Sequence, residues 1–342
     1  MKKMLSVALA VCMVLSLAAC GKQPASSNAP GNSTPNTSAG QPKEIEHPAS
    51  ITICASTSGN TWYASAVKIS ELMMTEWPDM SVTVIEGGGD ANIDRVNAGT
   101  DAQLGFTSST SLLPALSGAN ENVKDASNVA ALMSVSMSYA QTAVLASSDI
   151  QSYEDLAGKR MAAGTYGQVA MYTSDALLES YGMSAADLAG GSYQVVSPSE
   201  YPDQFSDGHL DACHINGNIP LATLVQIDSV TPIRLLQPSE ESIEYILEKY
   251  PAFYIAEVES GKYAGMDRDM KLLAYDGMLI GNKDLPGEFL ARVVELITEA
   301  NEAGELVQEQ AHFSRSSWEN YTTFVTAENT VPEVWDMISK HQ

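Results

Sequence analysis

From residue 50 onward, short apolar runs alternate with segments whose apolar positions recur every three to four residues. Ser50 to Ala55 reads as a strand, Ser56-Thr57-Ser58-Gly59-Asn60 as a turn, and Trp62, Ala66, Ile69 and Met73 as one face of a helix. Pro78 disfavours helix at the residue before it, so this helix is expected to stop near Trp77. Val82 and Val84 mark a second strand, Gly87 to Gly89 a loop, and Asp90 to Asn97 a short helix. Gln103 to Thr107 is a third strand, and the hydroxyls of Ser108 to Ser111 can cap a helix through Leu112, Leu113 and Leu116. The pattern restarts after Ser148, with a short helix and connection over Ser152 to Lys159. A strand at Arg160 to Ala163, a loop at Gly164 to Gln168 and a helix from Val169 to Tyr181 closed by Gly182 follow. Tyr193 to Val196 and Asp211 to Ile215 supply further strands, and Met270 to Ile280 a longer one. Leu285 to Gln310 reads as one or two long helices, and another helix surrounds Trp335. Strands alternating with helices of this length predict an α/β fold with parallel sheets covered on both faces, and the restart predicts a second lobe.

The N-terminal stretch has a different pattern. Lys2 and Lys3 precede an uncharged apolar run from Met4 to Leu17, and Leu17-Ala18-Ala19-Cys20-Gly21 follows. This order predicts a secretory signal peptide over residues 1–19. A cysteine behind small alanines resembles the bacterial lipobox. That resemblance implies a lipid on Cys20, a palmitate-type acyl anchor at the outer face of the cell membrane. Residues 20–48 then form a lipidated N-terminus and a tether. They are rich in Ser, Asn, Pro and Gly and too poor in apolar side chains to offset ordering entropy. About 295 residues remain, enough for two lobes. The expected division is lobe 1 over 49–142, lobe 2 over 143–268, and a return strand with C-terminal helices over 269–342 that packs mainly on lobe 1. The uncharged stretch Val129 to Ser147 holds Ser134, Ser136, Ser138, Tyr139, Gln141 and Thr142, too polar for lipid, and reads as buried strands.

Charge and chemistry narrow the function. The net charge is −24, and removing residues 1–19 takes away Lys2 and Lys3 and no acid, leaving −26. Such a chain repels nucleic acid and anionic headgroups, although a pocket's local field can differ from the average. With Cys12 in the signal and Cys20 lipidated, Cys54 and Cys213 are left, and both read as buried free thiols in strands. His209, Asp211 and Cys213 share one strand face while His214 points away, which does not converge on a tetrahedral metal site. The glycine run at 87–89 lacks the lysine of a phosphate loop, and no nucleophile elbow appears among the serines. No cofactor, no metal and no enzymatic activity are expected.

Ligands of open α/β sheets bind beyond the carboxyl ends of the strands, where four loops lead into helix starts: Ser56–Tyr63, Gly87–Asn92, Thr107–Thr110 and Gly164–Gln168. Helix N-termini offer free N–H groups to anions, and none of the four loops carries Lys or Arg. An anionic group would therefore be held by backbone amides and hydroxyls. Asp90 could pair with a ligand amino group, or could simply complement its helix start.

The blocks Ser56-x-Ser58-Gly59-Asn60-Thr61-Trp62-Tyr63, Gly88-Gly89-x-x-Asn92 and Asn97-x-Gly99-x-x-x-x-Leu104-Gly105 resemble the TAXI family, solute receptors of the tripartite ATP-independent periplasmic (TRAP) transporters. The likeness continues through Leu156-Ala157-Gly158-Lys159-Arg160, Gly208-x-Leu210-Asp211-Ala212, Gly217-x-Ile219-Pro220, and Tyr250-Pro251 followed by Gly261-Lys262-Tyr263. It implies a two-lobed type II periplasmic-binding-protein fold with a hinged interlobe cleft, a small organic anion or amino acid as ligand, and TRAP membrane subunits as partner. It matches ligand contacts onto Ser58, Asn60, Thr61, Tyr63, Gly88, Gly89 and Asn92. Position in the remaining loops adds Ser108, Tyr166 and Gln168. Ser108-Ser109-Thr110 and Gln168-Val169 depart from the family's usual residues, Gly89 stands where a Ser is common, and a His-Pro-Gly-Ala-like motif near the C-terminus is missing. An ABC-type receptor of the same fold is the main alternative, and a lipid-anchored hydrolase a further one.

Overall fold

The computed structural model describes residues 45–58, 60–165, 168–306 and 311–342. The signal peptide, Cys20, most of the tether and Tyr166 lie outside them. The chain runs β1 (Ser50–Cys54), α1 (Thr61–Glu76), β2 (Ser81–Ile85), α2 (Gly89–Ala98), β3 (Leu104–Ser108), α3 (Ser109–Leu116) and β4 (Val129–Leu145). It continues through β5 (Met161–Ala162), α4 (Val169–Glu179), α5 (Tyr201–Ser206), β6 (Ala212–Gly217), α6 (Ala222–Val230), β7 (Ile233–Leu235), α7 (Glu240–Lys249) and β8 (Tyr254–Val258). It closes with β9 (Met270–Asn282), α8 (Gly287–Glu302), α9 (Trp318–Tyr321) and α10 (Pro332–Lys340).

The strands form one sheet in the order β2-β1-β3-β9-β4-β6-β5, with β7 also paired to β4 and β8 to β9. The expected parallel pairing holds for β1 with β2 and β3, and for β5 with β6. The sheet as a whole is mixed, because the two long strands β4 and β9 run antiparallel to each other and to their other neighbours. Tyr193 to Val196 does not form the expected strand. Gln194 makes an isolated bridge to Ala162 at the end of the two-residue strand β5, which offers nothing longer to pair with.

The apolar residues collect around different parts of this sheet. One cluster joins β1, β3, α1 and α2 to Val129–Val135 of β4, Met278–Ile280 of β9 and the C-terminal helices. On α8 the stripe Phe289, Leu290, Val293, Val294 and Ile297 is buried into it, each such side chain contributing about 1.5–3 kcal/mol. Two further clusters surround residues 140–275, including Ala140 and Val144 of β4 and Leu272–Tyr275 of β9. The two long strands thus pass from one packing region to the other, between Val135 and Ala140 and between Tyr275 and Met278. The pairing of β4 with β9 shifts register between Ala131 and Met133 and between Ser134 and Ser136, close to this passage. Gly277, opposite Ser136, is needed there: a Cβ would stand 2.6 Å from Trp62 Nε1 and 2.7 Å from Ser136 Oγ. Among the described residues no helix is long and apolar enough to cross a membrane.

Candidate functional site

A cavity of about 360 Å³ opens where the passage strands meet the first loop. Ser56, Asn60, Thr61 and Trp62 line it from the β1–α1 turn and the start of α1, and Ser136 and Ser138 from β4. Asn216 and Asn218 line it from the end of β6, with Tyr275 of β9. Asn60 caps α1, its side chain accepting the Trp62 N–H at 3.3 Å. Trp62 stacks on Phe106, ring centroids 6.2 Å apart, so it closes the cavity on a rigid face. The turn is held from outside by Glu86, which accepts the Ser58 N–H at 2.8 Å. That bond holds the Glu86 carboxyl below its usual range.

No charged residue lines this cavity, and α1 has no acidic residue in its first turn. Two of its polar atoms, Ser56 Oγ and Asn216 Nδ2, are buried without a hydrogen-bond partner. An unmade buried hydrogen bond costs on the order of 1–3 kcal/mol, so the cavity carries two polar groups whose bonding is incomplete. Together with the start of α1 they form a set of neutral donors suited to an anionic group.

The orientation of Asn216 follows from a buried chain of polar groups. Tyr153 donates its hydroxyl proton to Thr142 Oγ1 at 3.0 Å, and Thr142 Oγ1 lies 2.7 Å from His214 Nδ1. His214 Nε2 lies 2.8 Å from Thr173 Oγ1, which donates to Asn216 Oδ1 at 3.0 Å. Thr142, which accepts from Tyr153, can give its own proton to Nδ1; with the His214 proton on Nε2 every group of this chain is satisfied, and the Asn216 amide is held through its oxygen with its NH₂ left unpartnered. Burial holds the His214 pKa down to about 3, so the ring is neutral at physiological pH.

The other sequence-derived candidates have different surroundings. Asn92 is fully buried, with Nδ2 donating to Ala55 O at 2.5 Å and Phe106 O at 2.8 Å, and Oδ1 accepting the Gly88 N–H at 3.1 Å. Its amide is spent on joining β1, β3 and the start of α2, and no surface of it faces a ligand. Ser108 is also fully buried; its Oγ accepts the Ser111 N–H and lies 2.7 Å from Thr110 Oγ1, capping α3. Tyr63 packs against the first core, and Ser58 is exposed at the turn. Gly88 and Gly89 form the start of α2.

Gln168 lines a second cavity, about 370 Å³, between α2, α3 and α4. Asp90, Glu121 and Asp175 line it as well. Both oxygens of Asp90 are engaged, accepting from Asn120 Nδ2 at 3.1 Å and Asn122 Nδ2 at 3.3 Å. An anion is disfavoured in this acidic space, so the neutral cavity is the stronger candidate for one.

Of the residues singled out from the sequence, Asn60 and Thr61 line this cavity; Ser56, Ser136, Ser138, Asn216 and Tyr275 line it too and were not among them. The signal was present: serines at every second position of an otherwise apolar strand place hydroxyls on one face. Asn216-Gly217-Asn218 likewise punctuates a strand end, where α/β sheets bind ligands.

Residues 53–323 match the NMT1-like family. The chain belongs to that family. Among solved structures, PhnD1 from Prochlorococcus marinus, in complex with methylphosphonate, is similar at 12% identity and a TM-score of 0.52, covering 79% of this chain and 91% of that one. The periplasmic aliphatic sulphonate binding protein SsuA from Escherichia coli is similar at 14% identity and a TM-score of 0.50, covering 86% and 84%. XAC2383 from Xanthomonas citri, bound to ATP, gives 10% identity and a TM-score of 0.50, covering 86% and 95%. These likenesses establish the periplasmic-binding-protein fold for this member of the NMT1-like family.

Proposed function

We propose that the chain is an extracytoplasmic solute-binding lipoprotein that takes a small organic anion into the cavity between α1, β4 and β6 and delivers it to a membrane transporter. The observation that carries this reading is the pair of buried, unpartnered polar atoms, Ser56 Oγ and Asn216 Nδ2, in a cavity with no charged lining residue. Thr61, Asn60 and the start of α1 complete the binding set. Asn92, Gly88, Gly89 and Ser108 serve it by fixing the loops, and Gln168 borders the neighbouring space. The ligands named for SsuA and PhnD1, an aliphatic sulphonate and methylphosphonate, are compact oxyanions on small apolar groups and suit the same donors. The sequence resemblance supports TRAP membrane subunits as the partner; an ABC-type permease is the alternative, and co-purification with either membrane component distinguishes them.

A thermal-shift panel of carboxylates, amino acids, sulfonates and phosphonates tests the ligand class. At about 100-fold its dissociation constant a true ligand stabilises by about 2.7 kcal/mol. Asn216→Ala is expected to weaken the selected ligand by about 1.5–3 kcal/mol, the contribution of a hydrogen bond to a charged group. Unchanged affinity in that variant, or a panel in which cations alone stabilise the protein, would overturn the reading.

A further inference from the structure

The chain has six arginines. Four lie within ion-pair reach of a carboxylate: Arg95 with Asp101 at 3.7 Å, Arg160 with Asp211 at 2.6 Å, Arg292 with Glu76 at 2.9 Å and Arg315 with Asp276 at 3.2 Å. Arg234 and Arg268 have no carboxylate partner among the described residues, and both line one cavity of about 370 Å³. It is bounded by the turn after β4, by β7 and by the segment leading into β9, and it shares no lining residue with the proposed solute site. Two guanidinium groups without an ion pair, set against the single carboxylate of Asp267, leave this cavity net positive in a chain of net charge −24.

The donors there are fixed in direction. Arg234 Nη1 donates to Ala146 O, and its Nη2 to Ser148 O and Ile150 O, which locks the guanidinium on the turn. Carbonyl oxygens carry no net charge, so the positive charge of Arg234 remains. Its Nε is buried with no partner. Gln237 Oε1 accepts the Lys271 N–H at 3.1 Å, which leaves the Gln237 NH₂ as the free end of that amide at the cavity. Arg268 stands exposed at the rim. Of its acidic neighbours, Asp269 is turned to the Ser260 N–H at 2.8 Å, and Asp267 shares the cavity lining without an ion pair.

We infer that this cavity binds a small, multiply charged oxyanion of the phosphate class, held by Arg234 Nε, the Arg268 guanidinium and the Gln237 amide. Oxyanions accept charge-assisted hydrogen bonds from such an arrangement, while a cation or an apolar guest leaves both arginines uncompensated. Occupancy braces the turn at the end of β4 and is independent of the solute site.

The test is titration of the protein with inorganic phosphate, against sodium chloride at equal ionic strength, followed through the arginine Nε–H resonances. Arg234 and Arg268 are expected to shift saturably with phosphate, in wild type and in Asn216→Ala alike. Arg268→Gln and Gln237→Ala should each weaken phosphate at least fivefold. Equal shifts with chloride, or static Arg234 and Arg268 signals, overturn the inference. So does a phosphate response lost in Asn216→Ala and kept in Arg268→Gln, which assigns the anion to the solute cavity.

Discussion

Single residues carry the selectivity of the proposed site, and one of them, Asn216, is tied through Thr173 to the ring of His214. The ring is fully buried between Thr142 and Thr173, and its pKa of about 3 lies below the ordinary value of 6.5. Between these values the unfolded chain binds a proton that the folded chain refuses. Stability therefore falls as pH drops through this window, by about 1.4 kcal/mol per pH unit for this group, and is unaffected by it above pH 6.5. Urea denaturation of wild type and His214→Gln from pH 7 to pH 4 isolates the effect: the wild type should lose its advantage progressively below pH 6.5. Parallel curves for the two proteins would show that the ring is protonated in the folded state. Little of this was legible in the sequence. Asp211 and Cys213 beside His214, whose strand spacing already argued against a shared metal, have separate surroundings in the fold: Asp211 pairs with Arg160, and Cys213 is a buried free thiol whose pKa burial pushes up. Partners such as Thr142 and Thr173 lie 72 and 41 residues away in the chain, at distances no local pattern encodes.

Among the elements, those defined by local chemistry were the readable ones. α1 starts at the Asn60 cap and ends before Pro78, and α2 ends where Gly99 takes a φ of 65°. The elements from α5 to β8 were mostly passed over, because short strands such as β7, three residues long, show no period. The antiparallel course of β4 and β9 was hidden for another reason: strand direction is a property of tertiary pairing, and a mostly apolar run reads the same either way. What fastens the readable elements together is often one polar side chain, and Asn92 is the case to test. It ties α2 to the ends of β1 and β3, and Gly87 beside it admits no Cβ, which would sit 2.0 Å from Asn92 Oδ1. Asn92→Ala leaves buried carbonyls without donors and should cost at least about 2 kcal/mol of folding stability. Chemical denaturation with intact ligand affinity per folded molecule is the expected result. A ligand contact would instead give full stability with weakened binding.

For the whole molecule, attachment and closure are the open mechanical consequences. Cys20→Ala is expected to release the mature protein from membranes or to leave it unprocessed; unchanged mass and membrane retention would remove the lipid anchor from the proposal. Closure rests on the two packing regions and the strands between them. The proposed solute touches both regions at once, since Ser56 and Thr61 lie in the β1–α1 turn and the start of α1 on the first core and Asn216 lies near the end of strand β6 of the second. A ligand that contacts both selects the arrangement in which they are nearest, by as much as its affinity for the two arrangements differs. The register shifts in β4, between Ala131 and Ser136, and the glycine at 277 lie at the edge of the passage, where bending of the pair costs few ladder hydrogen bonds. Spin labels at Val67 on α1 and Val225 on α6, both exposed, report the separation directly. The distance distribution should shorten and narrow with the ligand selected by the thermal-shift panel. Gly277→Ala should blunt that response and weaken the same ligand, because its methyl group meets Trp62 and Ser136, which both line the cavity. Identical distributions with and without saturating ligand would mean that the cavity fills without closure and that β4 and β9 act as a rigid frame.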